Sequence, residues 1–344
     1  MAVGTRRVDR HRWGLLALPL LGLSAILIAA GCGEDEETLT VYSGREEELV
    51  APLFEQFEEE TGTELEVRYG DTAELAATIL EEGDNSPADL FFGQDAGALG
   101  ALEQEGTLSE LEDEELTRVP ERYRSQDGRW VGTSGRARVV AYNNQKLSEA
   151  ELPDSILDFT DPKWKGRIGW APTNGSFQAF VTAMRLTEGE EATEEWLRGI
   201  VANDPVVFDD NNAIRDAIAS GEIDVGFINH YYVAQAIEEE GEDYPVRVYH
   251  PRGGDVGSLI NVAGAGLIAA GDNPEEATEL VAFLLSDSSQ EFFSTETKEY
   301  PLVEGIPSDP AVKPLAEIQQ PPVELSQLED LEGTLTLLKR TGAL

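Results

Sequence analysis

Two adjacent phenols, Tyr231 and Tyr232 in the run Phe227-Ile228-Asn229-His230-Tyr231-Tyr232, suit a hard, highly charged metal ion better than any other residues of this chain. Ferric iron is the ion they point to. It stabilises a phenolate that in water forms only near pH 10, so the pair needs no neighbouring base. Consecutive residues point to opposite faces of a strand and roughly 100° apart on a helix, so both oxygens reach one ion only at a turn between the two. A Tyr-Tyr pair by itself is ordinary core packing, and its surroundings have to decide.

The rest of the metal inventory is short. Past the N-terminal stretch the chain has two histidines, His230 and His250, one methionine, Met184, and no cysteine after Cys32, so a soft-metal or histidine-rich site is poorly supplied. No D-x-D-x-D-G calcium loop occurs. His230 adjoins the tyrosines, but a lone histidine beside an aromatic pair more often packs or hydrogen-bonds than ligates. For an anion, Pro172-Thr173-Asn174-Gly175-Ser176-Phe177 offers free backbone N–H groups and hydroxyls at a helix start. Asn211 and Asn212 open another helix, and Asn229 stands two residues before the phenols; locally all of these read equally well as caps. Arg136 and Arg138, two apart on a strand, share a face and either bind a carboxylate or carbonate or form a structural ion pair.

These residues need elements to position them. Ile223–Ile228 reads as a short buried strand and Val233–Glu239 as a helix, which puts the tyrosines at the junction. From Leu39 strand and helix alternate: a strand Leu39–Tyr42, a helix capped by Ser43 with Leu49, Val50, Leu53, Phe54 and Phe57 on one face, and a strand Leu65–Tyr69. Helices over 72–82 and 96–104 and a strand over 89–92 extend this into an open α/β sheet, whose ligands bind beyond the strand carboxyl ends. Arg136–Tyr142 reads as a hinge strand and Leu259–Gly264 as the return crossing. Between them lie strands at 168–170 and 206–208 and helices at 176–186, 191–201 and 213–219; a helix from Pro274 to Leu285 rejoins the first lobe. Gly264–Ala269 superficially matches a dinucleotide fingerprint, but no helix opens after its glycines.

The N-terminus carries Arg6, Arg7, Arg10 and Arg12 and then an apolar stretch over 15–30, an export signal. Ala29-Ala30-Gly31-Cys32 resembles the lipobox of bacterial lipoproteins, making Cys32 the lipidation site. The expected organisation is a signal peptide over 1–31, a lipidated tether over 32–38, a first α/β lobe over 39–136 plus 262–311, and a second over 137–261 plus 312–344. With one cysteine there is no internal disulfide. The formal charge of −42 disfavours nucleic acid and anionic lipid headgroups. Nucleophile elbows, Walker loops and H-E-x-x-H helices are lacking, so no enzyme is expected.

Leu39-Thr40-Val41-Tyr42-Ser43-Gly44, Ser86–Phe92, Ser134–Val140, Pro162–Gly169, Gly221–Asp224, Asn229–Tyr232 and Glu299–Leu302 resemble, in this order, segments of bacterial ferric-ion-binding proteins. The resemblance runs from about Leu39 to Pro307. It implies the α/β, two-lobed type II periplasmic binding protein fold with two hinge strands, and a protein that binds Fe³⁺ with a synergistic anion, phosphate or carbonate. It further implies delivery to an ABC permease and its ATPase by an exported monomer, lipid-anchored to the outer face of the cell membrane or periplasmic. Residue by residue it makes Tyr231 and Tyr232 metal ligands and gives Asn174, Gly175, Ser176, Asn211 and Asn229 to the anion. The first lobe departs from the pattern: Glu46 stands at the family's histidine position and Gln94 at its glutamate position. Glu46 becomes the first-lobe candidate ligand, Gln94 a poor one, and Arg45 a residue that meets the anion on closure. Ser176 stands where other members carry a third tyrosine. The alternative within the same fold is a binder of a small organic or phosphonate-type solute.

Overall fold

The computed structural model describes residues 38–344; the signal, the lipobox and Cys32 lie outside the described residues. The described elements are β1 (Thr38–Ser43), α1 (Glu47–Thr61), β2 (Glu64–Tyr69), α2 (Thr72–Glu82), β3 (Leu90–Gly93), α3 (Ala96–Gln104), α4 (Asp113–Leu116) and β4 (Val131–Asn143). They continue with β5 (Ile168–Trp170), α5 (Gly175–Thr187), α6 (Glu190–Ala202), β6 (Val206–Val207), α7 (Asn211–Ser220), β7 (Val225–Asn229), α8 (Tyr231–Glu240) and β8 (Val246–Tyr249). Last come β9 (Ile260–Leu267), α9 (Pro274–Leu284), α10 (Asp287–Thr295), β10 (Tyr300–Pro301) and α11 (Leu331–Thr341).

The first lobe is the sheet β2-β1-β3-β9-β4, in which β1 runs parallel to β2 and β3 while β9 is antiparallel to both its neighbours. Its helices cover it with apolar stripes: Val50, Leu53, Phe54 and Phe57 of α1 are all buried, as the 3–4 spacing requires. In the second lobe β7 pairs antiparallel with β4 and parallel with β5, and β6 follows β5. β4 belongs to both sheets. Val131–Ala137 pairs with β9, Arg138–Tyr142 pairs with β7, and the Arg138 N–H donates 2.7 Å to the Leu259 carbonyl where the two crossings meet. The whole of β4 is buried, so its two arginines are carried into the seam between the lobes.

Several local readings need correction. Ser43 ends β1 and caps nothing; α1 starts at Glu47, and the Ser43 hydroxyl instead accepts the Arg45 N–H at 3.2 Å. α7 is capped by Asp210, whose carboxylate accepts from the Ala213 N–H at 2.8 Å, which frees Asn211 for other contacts. The hinge strand begins at Val131, five residues before the expected Arg136, because the segment from Val131 already pairs with β9. The rejection of a dinucleotide fingerprint holds: Gly264 and Gly266 lie inside β9, and no helix opens directly after them.

The tail touches both lobes. The 3-10 turn Leu325–Glu329 lies on α3 so closely that a Cβ on Gly97 or Gly100 would meet the Leu328 or Ser326 carbonyl. From there α11 docks on the second lobe, with the Thr334 and Thr182 hydroxyls 2.7 Å apart and Asp330 paired to Arg185 at 2.8 Å.

Candidate metal centre

β7 ends at Asn229 and α8 begins at Tyr231, with His230 in helical backbone conformation between them, so the phenols occupy the first turn of a helix. The two rings stack with centroids 4.1 Å apart and planes 29° from parallel, and the residues are 1% and 6% exposed. The Tyr231 hydroxyl has no hydrogen-bond partner among the described residues. Burial, and next the charge of Tyr232, holds the Tyr231 phenol well above its ordinary value of 10; burial raises Tyr232 as well. Both are protonated at neutral pH unless a cation replaces the protons.

His230 anchors the turn. Its Nδ1 accepts the Ala137 N–H of β4 at 3.1 Å, and its ring stacks on Tyr300 at 4.3 Å and 7°. This places the imidazole in packing and hydrogen bonding. Among the described residues no cluster of three or more His, Cys, Asp or Glu is arranged to hold a metal.

Around the phenols the seam is rich in guanidinium. Arg45 is buried and pairs with Glu299 at 2.7 Å; Glu299, itself fully buried, also accepts from the Ser134 hydroxyl at 2.6 Å. Arg136 and Arg138 are buried without a carboxylate ion pair among the described residues. Arg136 leaves Nε and Nη1 without partners. Arg138 donates to the Phe227 carbonyl and reaches the side-chain oxygens of Asn211 and Asn229, each at 3.4 Å. Burial pulls both guanidinium groups down, Arg138 to about 9; at Arg136 the charge of Arg45 adds to the effect, and Glu299 and Asp95 offset only part of it.

Those two arginines, Ser176, Asn229, Leu259 and Asn261 line a gap of about 10 Å³, and the buried Asn261 amide nitrogen has no partner among the described residues. Asn174 caps α5 by accepting the Ser176 N–H at 3.1 Å, and the Asn211 amide lies 3.5 Å from the same Asn174 oxygen. Asn174, Gly175, Ser176, Asn211 and Asn229 are therefore neighbours although they come from the starts of α5 and α7 and the end of β7. Glu46 sits exposed at the rim, among Arg45, Glu48, Glu299 and Asp210, and partial burial raises its carboxyl. Gln94 lies in a wider cleft of about 740 Å³, also lined by Thr173, Asn174 and Gly175.

Sequence reading gave no role to Glu299 or Asn261. Glu299 meets Arg45 across 254 residues, a pairing no local pattern encodes. Asn261 did leave a signal, as the one amide in the apolar run Leu259-Ile260-Asn261-Val262-Ala263.

With the geometry in view, comparison with known proteins is direct. The family described as bacterial extracellular solute-binding protein matches residues 85–326. The chain is 34% identical to the major ferric iron-binding protein of Neisseria meningitidis over 88% of this chain and 92% of that one. Iron-bound HitA from Pseudomonas aeruginosa superposes with a TM-score of 0.84 at 35% identity, covering 89% of this chain and 99% of that one. Trichodesmium FutA in complex with iron and citrate superposes at 0.77 with 29% identity, covering 89% and 99%.

Proposed function

The chain belongs to the bacterial extracellular solute-binding proteins, in the group that binds ferric iron for ABC import, and from that premise we propose that Tyr231 and Tyr232 hold Fe³⁺ as its cargo. The observation that carries the reading is the nearness of two buried, stacked phenols to two buried arginines, Arg136 and Arg138, that make no ion pair among the described residues. Iron displaces the phenolic protons, and the cations of Arg45 and Arg136 lie close enough to favour the resulting phenolates. Glu46 is the first-lobe ligand within reach, and Gln94, a neutral amide out in the cleft, is not one.

A synergistic anion, phosphate or carbonate, completes the coordination in this reading. Asn174, Gly175, Ser176, Asn211 and Asn229 form its cradle, with Arg136 and Arg138 supplying the charge. Arg45, held by Glu299, acts on Tyr231 more than on the anion. The gap of about 10 Å³ has room for little more than one water, so the anion enters with a small opening of the seam. The protein is exported and hands iron to an ABC permease without turnover. It does so as a monomer tethered through lipid on Cys32, a reading supported by the Ala29-Ala30-Gly31-Cys32 motif.

The test is optical. Protein given ferric iron with phosphate or carbonate should develop a visible tyrosinate charge-transfer band at one iron per chain. A colourless protein that is instead stabilised against heat by a phosphonate or another organic solute would overturn the assignment.

A further inference from the structure

The imidazole of His230 is where the hinge strand, the first lobe and the phenol-bearing helix meet. β7 ends its pairing with β4 at Asn229, opposite Arg138, and His230 carries the contact one residue further. Its backbone N–H donates to the Ala137 carbonyl at 3.0 Å, while its Nδ1 accepts the Ala137 N–H at 3.1 Å. Ala137 is the last residue of β4 in register with β9, and Arg138 the first in register with β7, so these two hydrogen bonds clamp the start of α8 to the pivot of the hinge strand. The ring also meets the first lobe: the Lys298 backbone lies against it, and it stacks on Tyr300 with centroids 4.3 Å apart and planes 7° from parallel. Tyr300 lies in β10 opposite Gly135 of β4, two residues before Ala137. The stack therefore spans the pivot, from a strand of the first-lobe sheet to the turn that opens α8.

Both partners are buried, Tyr300 fully and His230 to 2% exposure, and stacked faces fix mutual orientation as well as distance. His230 in turn meets Tyr231 edge-on, at 6.0 Å and 87°, so Tyr300, His230, Tyr231 and Tyr232 form one run of rings that ends at the metal centre. The segment that delivers Tyr300 is itself tied to α8. Lys298 sits at φ +60°, a conformation in which glycine or asparagine is less strained, and its buried ammonium donates to Glu238 of α8 and to Asp309, each at 3.0 Å. Gln235 of α8 donates to the Thr297 carbonyl at 3.2 Å. Tyr231, Gln235 and Glu238 follow the spacing of one helix face, so the face that carries Tyr231 is the one held by residues 297–300.

We propose that Tyr300 is a positioning residue for iron binding: by stacking on His230 across the pivot of β4 it fixes the first turn of α8, and with it the Tyr231 and Tyr232 phenols, relative to the first lobe. The proposal rests on those phenols as the iron ligands. It gives the role to the ring face of Tyr300 and none to the hydroxyl, which has no partner among the described residues. Groups that orient metal ligands from outside the coordination sphere typically contribute about tenfold to a hundredfold in affinity.

Variants of the protein test this, read by the visible band of the iron-loaded form, by iron affinity in competition with citrate, and by urea unfolding of the iron-free form. Tyr300→Leu removes the flat face and should weaken iron by about tenfold or more. It should also move the band maximum, because the energy of phenolate-to-iron charge transfer follows the geometry of the iron–oxygen bonds. Tyr300→Phe keeps the face and should retain the wild-type band and affinity. Phe57→Leu, which truncates a buried ring of α1 in the first-lobe core, should lower the urea midpoint and leave band and affinity as they are. If Tyr300→Leu does not fold, Tyr300→Met, which fills the space without a ring, takes its place. A Leu or Met variant at Tyr300 that loses stability but keeps the wild-type band and affinity would reduce the stack to core packing and overturn the proposal. So would a Tyr300→Phe protein as impaired as Tyr300→Leu. A colourless wild type would instead remove the iron ligands themselves, an outcome visible before any variant is made.

Discussion

The rings of Tyr231 and Tyr232 stack with centroids 4.1 Å apart at the first turn of α8, and in the proposed site both phenols address one ion from adjacent positions in the chain. Tyr231→Phe and Tyr232→Phe should each weaken Fe³⁺ by at least roughly a thousandfold, on the order of 4 kcal/mol, and the double substitution should abolish the visible band. Since Tyr231 has no hydrogen bond to lose, Tyr231→Phe should leave the thermal midpoint of the iron-free protein within a few degrees of wild type. A retained band in the double variant would place the iron elsewhere.

Acid should release the iron. Both phenols are raised by burial, so in the iron-free protein each holds its proton across the physiological range, and binding must expel two. Expelling protons makes affinity rise with pH: apparent affinity should fall by up to roughly a hundredfold for each pH unit lost between about pH 7 and 5. Competition against citrate, corrected for citrate's own protonation, measures the slope. A profile flat over that range would mean that groups already ionised at neutral pH hold the metal.

What the sequence made legible follows the range of the interactions involved. The strand-to-helix junction at Tyr231 was readable because Val225–Asn229 and Tyr231–Glu240 each carry their own periodicity. Helices α2 and α3 fell on their expected bounds for the same reason, with Asp71 and Asp95 capping them locally. Caps were less legible where polar residues crowd together: Asp210, Asn211 and Asn212 all qualify chemically, and only packing selects Asp210 and buries Asn211 against Arg138. The alternatives for Arg136 and Arg138 could not be decided locally, since the answer depends on which carboxylates reach the seam. Glu299 does reach it, and it goes to Arg45.

That buried pair gives a stability prediction. Glu299→Gln keeps an acceptor for Ser134 but leaves the Arg45 guanidinium without a counter-charge, which should cost about 3 kcal/mol in urea unfolding of the iron-free protein. Adding Arg45→Met removes the stranded charge as well and should restore most of the loss. If Glu299→Gln alone changes stability by less than about 1 kcal/mol, water or another group must already screen Arg45 in the seam.

A packing prediction concerns how α7 delivers Asn211. Gly226 in β7 faces α7 so closely that a Cβ there would overlap the Ile214 side chain. Gly226→Ala must push α7 off the sheet or distort Ile214, costing about 1–3 kcal/mol. Because the same helix holds Asn211 against Arg138, the anion requirement for iron binding should rise along with the loss of stability. Loss of stability with an unchanged anion requirement would separate α7 from the cradle.

Arg136 offers the sharpest contrast between stability and function. Its guanidinium is buried, has no carboxylate partner among the described residues and leaves two nitrogens unpaired, so in the iron-free protein it is a desolvated charge with little compensation. Replacing it by an apolar side chain of similar length removes that penalty: Arg136→Met should stabilise the iron-free protein, by about 1 kcal/mol or more. If iron and its anion bind as proposed, the same change also deletes a charge that acts on the Tyr231 phenol. Phosphate-supported iron affinity should therefore fall by about tenfold or more, since hydrogen bonds to charged groups contribute about 1.5–3 kcal/mol. Opposite signs in a urea titration and an iron titration would identify Arg136 as a residue kept for the anion at the expense of the fold. A variant that loses stability and keeps its iron affinity would instead make Arg136 part of the hinge.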